Sequence, residues 1–137
     1  MKKIEHLGIA VKSIEESSKI YAKLLNAECY KIEEVESEGV KTAFYQIGES
    51  KIELLEATKA DSPIAKFLEK KGQGIHHIAF DVEDIQAEIE RLEGEGFQLI
   101  HTQPKAGADD KVIAFLHPKS TDGILVELCM DKAKLKA

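Results

Sequence analysis

His6-Leu7-Gly8-Ile9-Ala10-Val11 recurs as His77-Ile78-Ala79-Phe80-Asp81-Val82, 71 residues later, with a histidine, an apolar residue three places on and a valine five places on in each copy. Downstream, Lys51-Ile52-Glu53-Leu54-Leu55 is echoed by Leu125-Val126-Glu127-Leu128-Cys129, and the two glutamates lie 74 residues apart. Two markers recurring in the same order at nearly the same offset identify an internal duplication. The 137 residues suffice for one compact domain. The repeat therefore divides a single domain, 1–137, into two modules of about 1–72 and 73–137.

Each module has the same outline. Around His6 and His77 the pattern is that of a strand, after which a polar residue opens a helix. Ser13 with Glu16 matches a capping box, and Ile14, Tyr21, Leu24 and Leu25 follow at helical spacing. In the second copy Asp84 caps a helix carrying Ile85, Ile89 and Leu92, which Gly94 and Gly96 end. Three strand-like stretches follow each helix: 28–35, 40–47 and 51–57 in the first module, and 97–101, 111–116 and 123–129 in the second. Between the modules, Ser62-Pro63 at the start and Gly72 at the end predict a short connecting helix. The lysine-rich tail after Asp131 is expected to fray.

Composition narrows the function. With 19 basic and 25 acidic residues the chain carries a formal −6, whereas a nucleic-acid binder presents a basic face to phosphates. No apolar run reaches the ~20 residues of a membrane span, and no signal-length apolar stretch follows the N-terminus. Cys29 and Cys129 are the only cysteines, too few for a disulfide framework. A cytoplasmic protein is expected.

A histidine or glutamate facing inward from a strand is costly unless paired or bound. A lone strand histidine is ordinarily a hydrogen-bonded core or surface residue, and a glutamate in an Ile-Glu-Leu run is ordinarily on the solvent side. Duplication changes this, because drift would not preserve both in both copies for packing alone. If a pseudo-two-fold relates the modules, His6, Glu53, His77 and Glu127 converge. Two imidazoles with two carboxylates neutralise a divalent cation, and mixed nitrogen and oxygen donors suit Co, Ni, Mn, Fe or Zn. His76 neighbours His77 and points to the opposite face, as a packing residue. His117 sits where a strand ends in a turn and is a candidate substrate contact; His101 reads as exposed. Neither cysteine has a base beside it in sequence, which argues against nucleophilic catalysis.

The paired His-x-x-Ile/Phe-x-Val and Ile/Val-Glu-Leu motifs resemble the vicinal oxygen chelate superfamily, which includes glyoxalase I, extradiol dioxygenases, fosfomycin-resistance enzymes and methylmalonyl-CoA epimerases. Asp61 to Leu68, Gly74 to Ala79 and Ala114 to Leu128 resemble segments of the epimerases in particular, and the similarity runs nearly the whole length. The resemblance implies an α+β fold, two tandem βαβββ modules forming a curved mixed β-sheet around a metal site. Its ligands fall on His6, Glu53, His77 and Glu127, with cobalt the usual ion. The implied reaction is epimerisation of a methylmalonyl-CoA thioester by α-proton abstraction through a metal-stabilised enolate, with Glu127 and Glu53 as catalytic carboxylates, in a homodimer. His117, Lys105, Lys111 and Lys119 are the implied substrate contacts, the lysines toward the coenzyme A phosphates. Some relatives place a catalytic glutamate on the strand equivalent to 40–47, where this chain has Thr42; Glu36, Glu38 and Glu56 are the alternative bases.

Glyoxalase I, a lactoylglutathione lyase, uses the same ligand chemistry and is the main rival. A dioxygenase, with two histidines and one carboxylate, would leave Glu53 unexplained. A metal-free binding protein of the bleomycin-resistance kind would leave four polar groups poorly compensated. The acidic excess does not exclude a phosphate-bearing ligand. Residues 81–95 hold seven acids and one base, which accounts for the whole −6, and from residue 96 onward there are six bases to five acids.

Overall fold

The computed structural model describes residues 1–136, without the side chain of Lys136. Contacts gather the chain into two units, residues 6–76 and residues 1–5 with those from 77 onward. In the first unit, β1 (Lys3–Ala10) leads to α1 (Ile14–Leu25), then β2 (Lys31–Val35), β3 (Val40–Ile47), β4 (Ser50–Ala57) and α2 (Pro63–Lys71). The second continues with β5 (Gly74–Asp81), α3 (Ile85–Gly94), β6 (Lys105–Ala106), β7 (Lys111–Leu116) and β8 (Val126–Asp131). Strands run in the order β2-β3-β4-β1 in the first unit and β5-β8-β7-β6 in the second. In each, the opening strand lies parallel to the last and the remaining pairs are antiparallel. The α+β class and the βαβββ repeat are as expected.

The helices form where their caps are. Ser13 Oγ accepts the Glu16 N–H, Ser62 Oγ the Ala65 N–H and Asp84 Oδ1 the Ala87 N–H, each satisfying a donor that the first turn leaves without an intrahelical partner. In α1, Ile14, Tyr21, Ala22 and Leu25 pack on Val11, Ala43, Tyr45 and Leu54. Leu24, expected on that face, is 70% exposed. Ten residues at about 100° each place it about 80° from Ile14, on the flank of the stripe. Ile64, Phe67 and Leu68 of α2 close on Ala10, Leu55 and Val40, and Ile85, Ile89 and Leu92 of α3 pack on Ala114, Leu116, Leu128 and Met130. The cap at Ser62 yields a measurable expectation. Ser62 is 4% exposed, so Ser62→Ala loses a buried cap bond and lowers stability by about 1 kcal/mol, read as a lower urea midpoint at unchanged slope.

Two expectations change. Residues 97–101 form no strand; one bridge, Leu99 to Leu116, stands there, and the edge strand is β6 instead. Pro104, which has no N–H to donate, separates the two segments. β6 then turns at Gly107, where a Cβ would come within 2.7 Å of the Ile113 side chain. The last strand starts at 126 and not 123, because Asp122 and Gly123 both take positive φ in the preceding turn. The tail, Lys132–Lys136, takes a 3-10 conformation that begins at the Lys132 N–H bond to the Asp110 carbonyl.

Candidate metal and proton-transfer site

Strand register preserves the duplication residue by residue. In the first unit Gly8 of β1 lies opposite Glu53 of β4; in the second, Ala79 of β5 lies opposite Glu127 of β8. His6 and His77 each stand two residues before those positions, hence on the same strand face as the residue facing the glutamate. The antiparallel neighbour repeats as well, with Phe44 opposite Glu53 and Phe115 opposite Glu127. Each unit thus presents one histidine, one glutamate and one phenylalanine in the same register.

The side chains meet within each unit. His6 Nδ1 is 3.1 Å from Glu53 Oε2, with both side chains under one-tenth exposed. His77 Nε2 is 3.3 Å from Glu127 Oε1 with the same burial. A carboxylate at that depth is expensive without a compensating group, and an imidazole nitrogen beside it supplies either a proton or a second lone pair facing a shared cation. Phe115 meets the His77 ring edge-on at 5.7 Å. His101, expected to be exposed, is half-buried: its Nδ1 accepts the Phe115 N–H at 3.1 Å and its ring lies 5.8 Å from that of Phe115. It fixes the strand that carries Phe115.

Phe44 keeps different company. Lys51 Nζ lies 5.6 Å from its ring centroid and 3.8 Å from Glu53 Oε2, and the Lys51 side chain is only 4% exposed. This lysine escaped sequence reasoning, although its spacing of two from Glu53 in a strand was a usable sign that the two share a face. Thr42, 2% exposed, stands opposite Leu55, one same-face step along β3 from Phe44, so the position where some relatives are thought to carry an acid holds a buried hydroxyl.

The remaining candidates separate by what they touch. Glu56 Oε1 accepts the Ile14 N–H at 2.7 Å, at the start of α1. Glu36 and Glu38 lie on a 3-10 turn between β2 and β3. Lys111 is held by Asp131, with Glu5 at 3.9 Å, and its side chain is 15% exposed. Lys105 lies on the edge strand β6 and Lys119 on an exposed 3-10 turn. His117 caps that turn by accepting the Lys119 N–H at its Nδ1. Burial pushes the His76 imidazole down to about 4, so it is neutral at neutral pH, and its ring packs edge-on against Phe67 as a packing residue would. Burial, then the charges of Glu127 and Glu5, push the Cys129 thiol up, which leaves it protonated and a poor nucleophile.

The donor chemistry fits a divalent ion. Two imidazole nitrogens and two carboxylates, all buried and repeated in register, are a set that borderline transition metals prefer. Comparison with known proteins identifies the family. A family model described as the Glyoxalase/Bleomycin resistance protein/Dioxygenase superfamily matches residues 5–115. The chain is 45% identical to the uncharacterized protein YqjC of Bacillus subtilis over 96% of its own length and 94% of that protein. It is 41% identical to the ethylmalonyl-CoA/methylmalonyl-CoA epimerase of Cereibacter sphaeroides, covering 92% of this chain and 96% of that one. Among solved structures, a Streptomyces coelicolor methylmalonyl-CoA epimerase in complex with 2-nitronate-propionyl-CoA superposes with a TM-score of 0.92 at 34% identity, over 97% of this chain and 96% of the other.

Proposed function

We propose that the chain, which belongs to the glyoxalase/bleomycin resistance/dioxygenase superfamily, is a methylmalonyl-CoA epimerase: an isomerase that inverts the α-carbon of a methylmalonyl thioester. The observation that carries this reading is the register-matched pair of buried His–Glu contacts, joined to full-length similarity with epimerases. His6, His77 and Glu127 are buried groups of the kind that hold a metal ion, and Glu53, 3.1 Å from His6, is assigned the fourth place. When bound, a divalent cation, cobalt by family likeness, supplies Lewis-acid stabilisation of charge developing on substrate oxygens.

The chain's own residues supply the rest. The α-hydrogen between a thioester and a carboxylate is acidic enough for a carboxylate to remove, provided the acceptor is positioned and dry. Glu127, under one-tenth exposed beside His77, is assigned that abstraction. Inversion requires a second group to return a proton from the other side, and Glu53 is assigned to it in the absence of an acid at position 42. His117, Lys105, Lys111 and Lys119 are assigned to the substrate. Lys111 acts there only if it leaves Asp131. A cytoplasmic homodimer completes the proposal; among the described residues no helix is long and apolar enough to cross a membrane. Exchange of the substrate α-hydrogen with solvent deuterium tests the assignment directly.

A further inference from the structure

The duplication breaks at a buried charge two residues before Glu53. The 74-residue offset that carries Glu53 onto Glu127 carries Lys51 onto Leu125. The histidine, the facing phenylalanine and the strand register are matched around the two glutamates. Only the first half has an ammonium there, 3.8 Å from the glutamate, 5.6 Å above the phenylalanine ring and 4% exposed. An ammonium taken out of water costs several kcal/mol unless compensated. A retained buried lysine beside one of two otherwise equivalent carboxylates therefore calls for a role that leucine serves differently in the other half.

We infer that Lys51 is a positioning residue that makes the two carboxylates inequivalent, holding Glu53 in place and setting the net charge of the ligand set. This rests on the reading that His6, Glu53, His77 and Glu127 hold one divalent cation. The two glutamates bring −2, which a divalent ion would cancel. Lys51 raises the sum of these groups by one, which favours an anionic substrate whose negative charge grows during proton abstraction. The same ammonium opposes cation binding, since like charges a few ångströms apart in a poorly solvated site repel appreciably. Lys51 thus gives up some ion affinity in return for stabilisation of the reacting anion.

The two effects have opposite signs, and that separates charge from packing. Titration of the purified full chain with Co²⁺, followed by calorimetry, should show K51M binding about tenfold more tightly than the parent, and epimerisation by the Co²⁺-loaded protein should show kcat falling about tenfold. K51R, which keeps the charge, should recover the parental affinity and most of the turnover. K51Q, neutral but still polar, should follow K51M, and it serves if K51M does not fold. Should the neutral variants bind Co²⁺ no better than the parent, or worse, Lys51 is a packing residue and the inference fails while the metal reading stands. If the parent itself binds no Co²⁺, both fail.

Discussion

Glu127→Gln should lower epimerisation by about a thousandfold, the range expected when a positioned general base is removed, while the fold survives. The substitution preserves size and shape, so α3 and the core residues Leu128 and Met130 beside it have no reason to move. What it removes is a charge: an amide cannot accept the α-proton, and it leaves the His77 nitrogen facing a neutral group where a carboxylate oxygen stood at 3.3 Å. Circular dichroism and the thermal midpoint check the fold, and a stopped-time assay with a single methylmalonyl-CoA epimer checks the rate. Turnover within tenfold of the parent would show that the proton acceptor is elsewhere.

Removal of divalent ions by a chelator, followed by dialysis, should abolish turnover, and Co²⁺ should restore it. The same ion stabilises the fold by linkage, because four buried donors arranged by the folded strands are scattered in the unfolded chain. At a free concentration about a hundred times its Kd, the gain is about 2.7 kcal/mol, several degrees in Tm for a chain of this size. A thermal scan with and without Co²⁺ reads this without reference to catalysis. Coincident scans together with full activity in chelator would remove the ion from the account.

Much of this was legible in the sequence because duplication writes each signal twice. His6 and His77, Glu53 and Glu127, and the caps at Ser13, Ser62 and Asp84 all sit in local patterns whose physics is short-range, a strand period or a first helical turn. What was not legible depends on contacts distant in sequence. Glu56 looked like a free acid until β4 placed it 2.7 Å from the Ile14 amide, 42 residues away. His101 looked exposed because nothing local says that β7 offers it the Phe115 N–H. Lys111 was read as a contact to a coenzyme A phosphate, and Asp131 and Glu5 both reach it from other strands. Lys51 was hidden for another reason: the matching position in the other half holds Leu125, so the repeat does not mark it.

The central claim is that the buried His–Glu pairs serve proton exchange at the α-carbon of a methylmalonyl thioester. Incubation of methylmalonyl-CoA with the Co²⁺-loaded protein in deuterium oxide measures this, with mass spectrometry of the recovered thioester. The account predicts one deuterium at the α-carbon per molecule, appearing as the second epimer accumulates, and loss of both in Glu127→Gln. Recovery of unlabelled, optically unchanged thioester, together with turnover of a glutathione hemithioacetal by the same preparation, would contradict it and assign the chain to lactoylglutathione lyase chemistry.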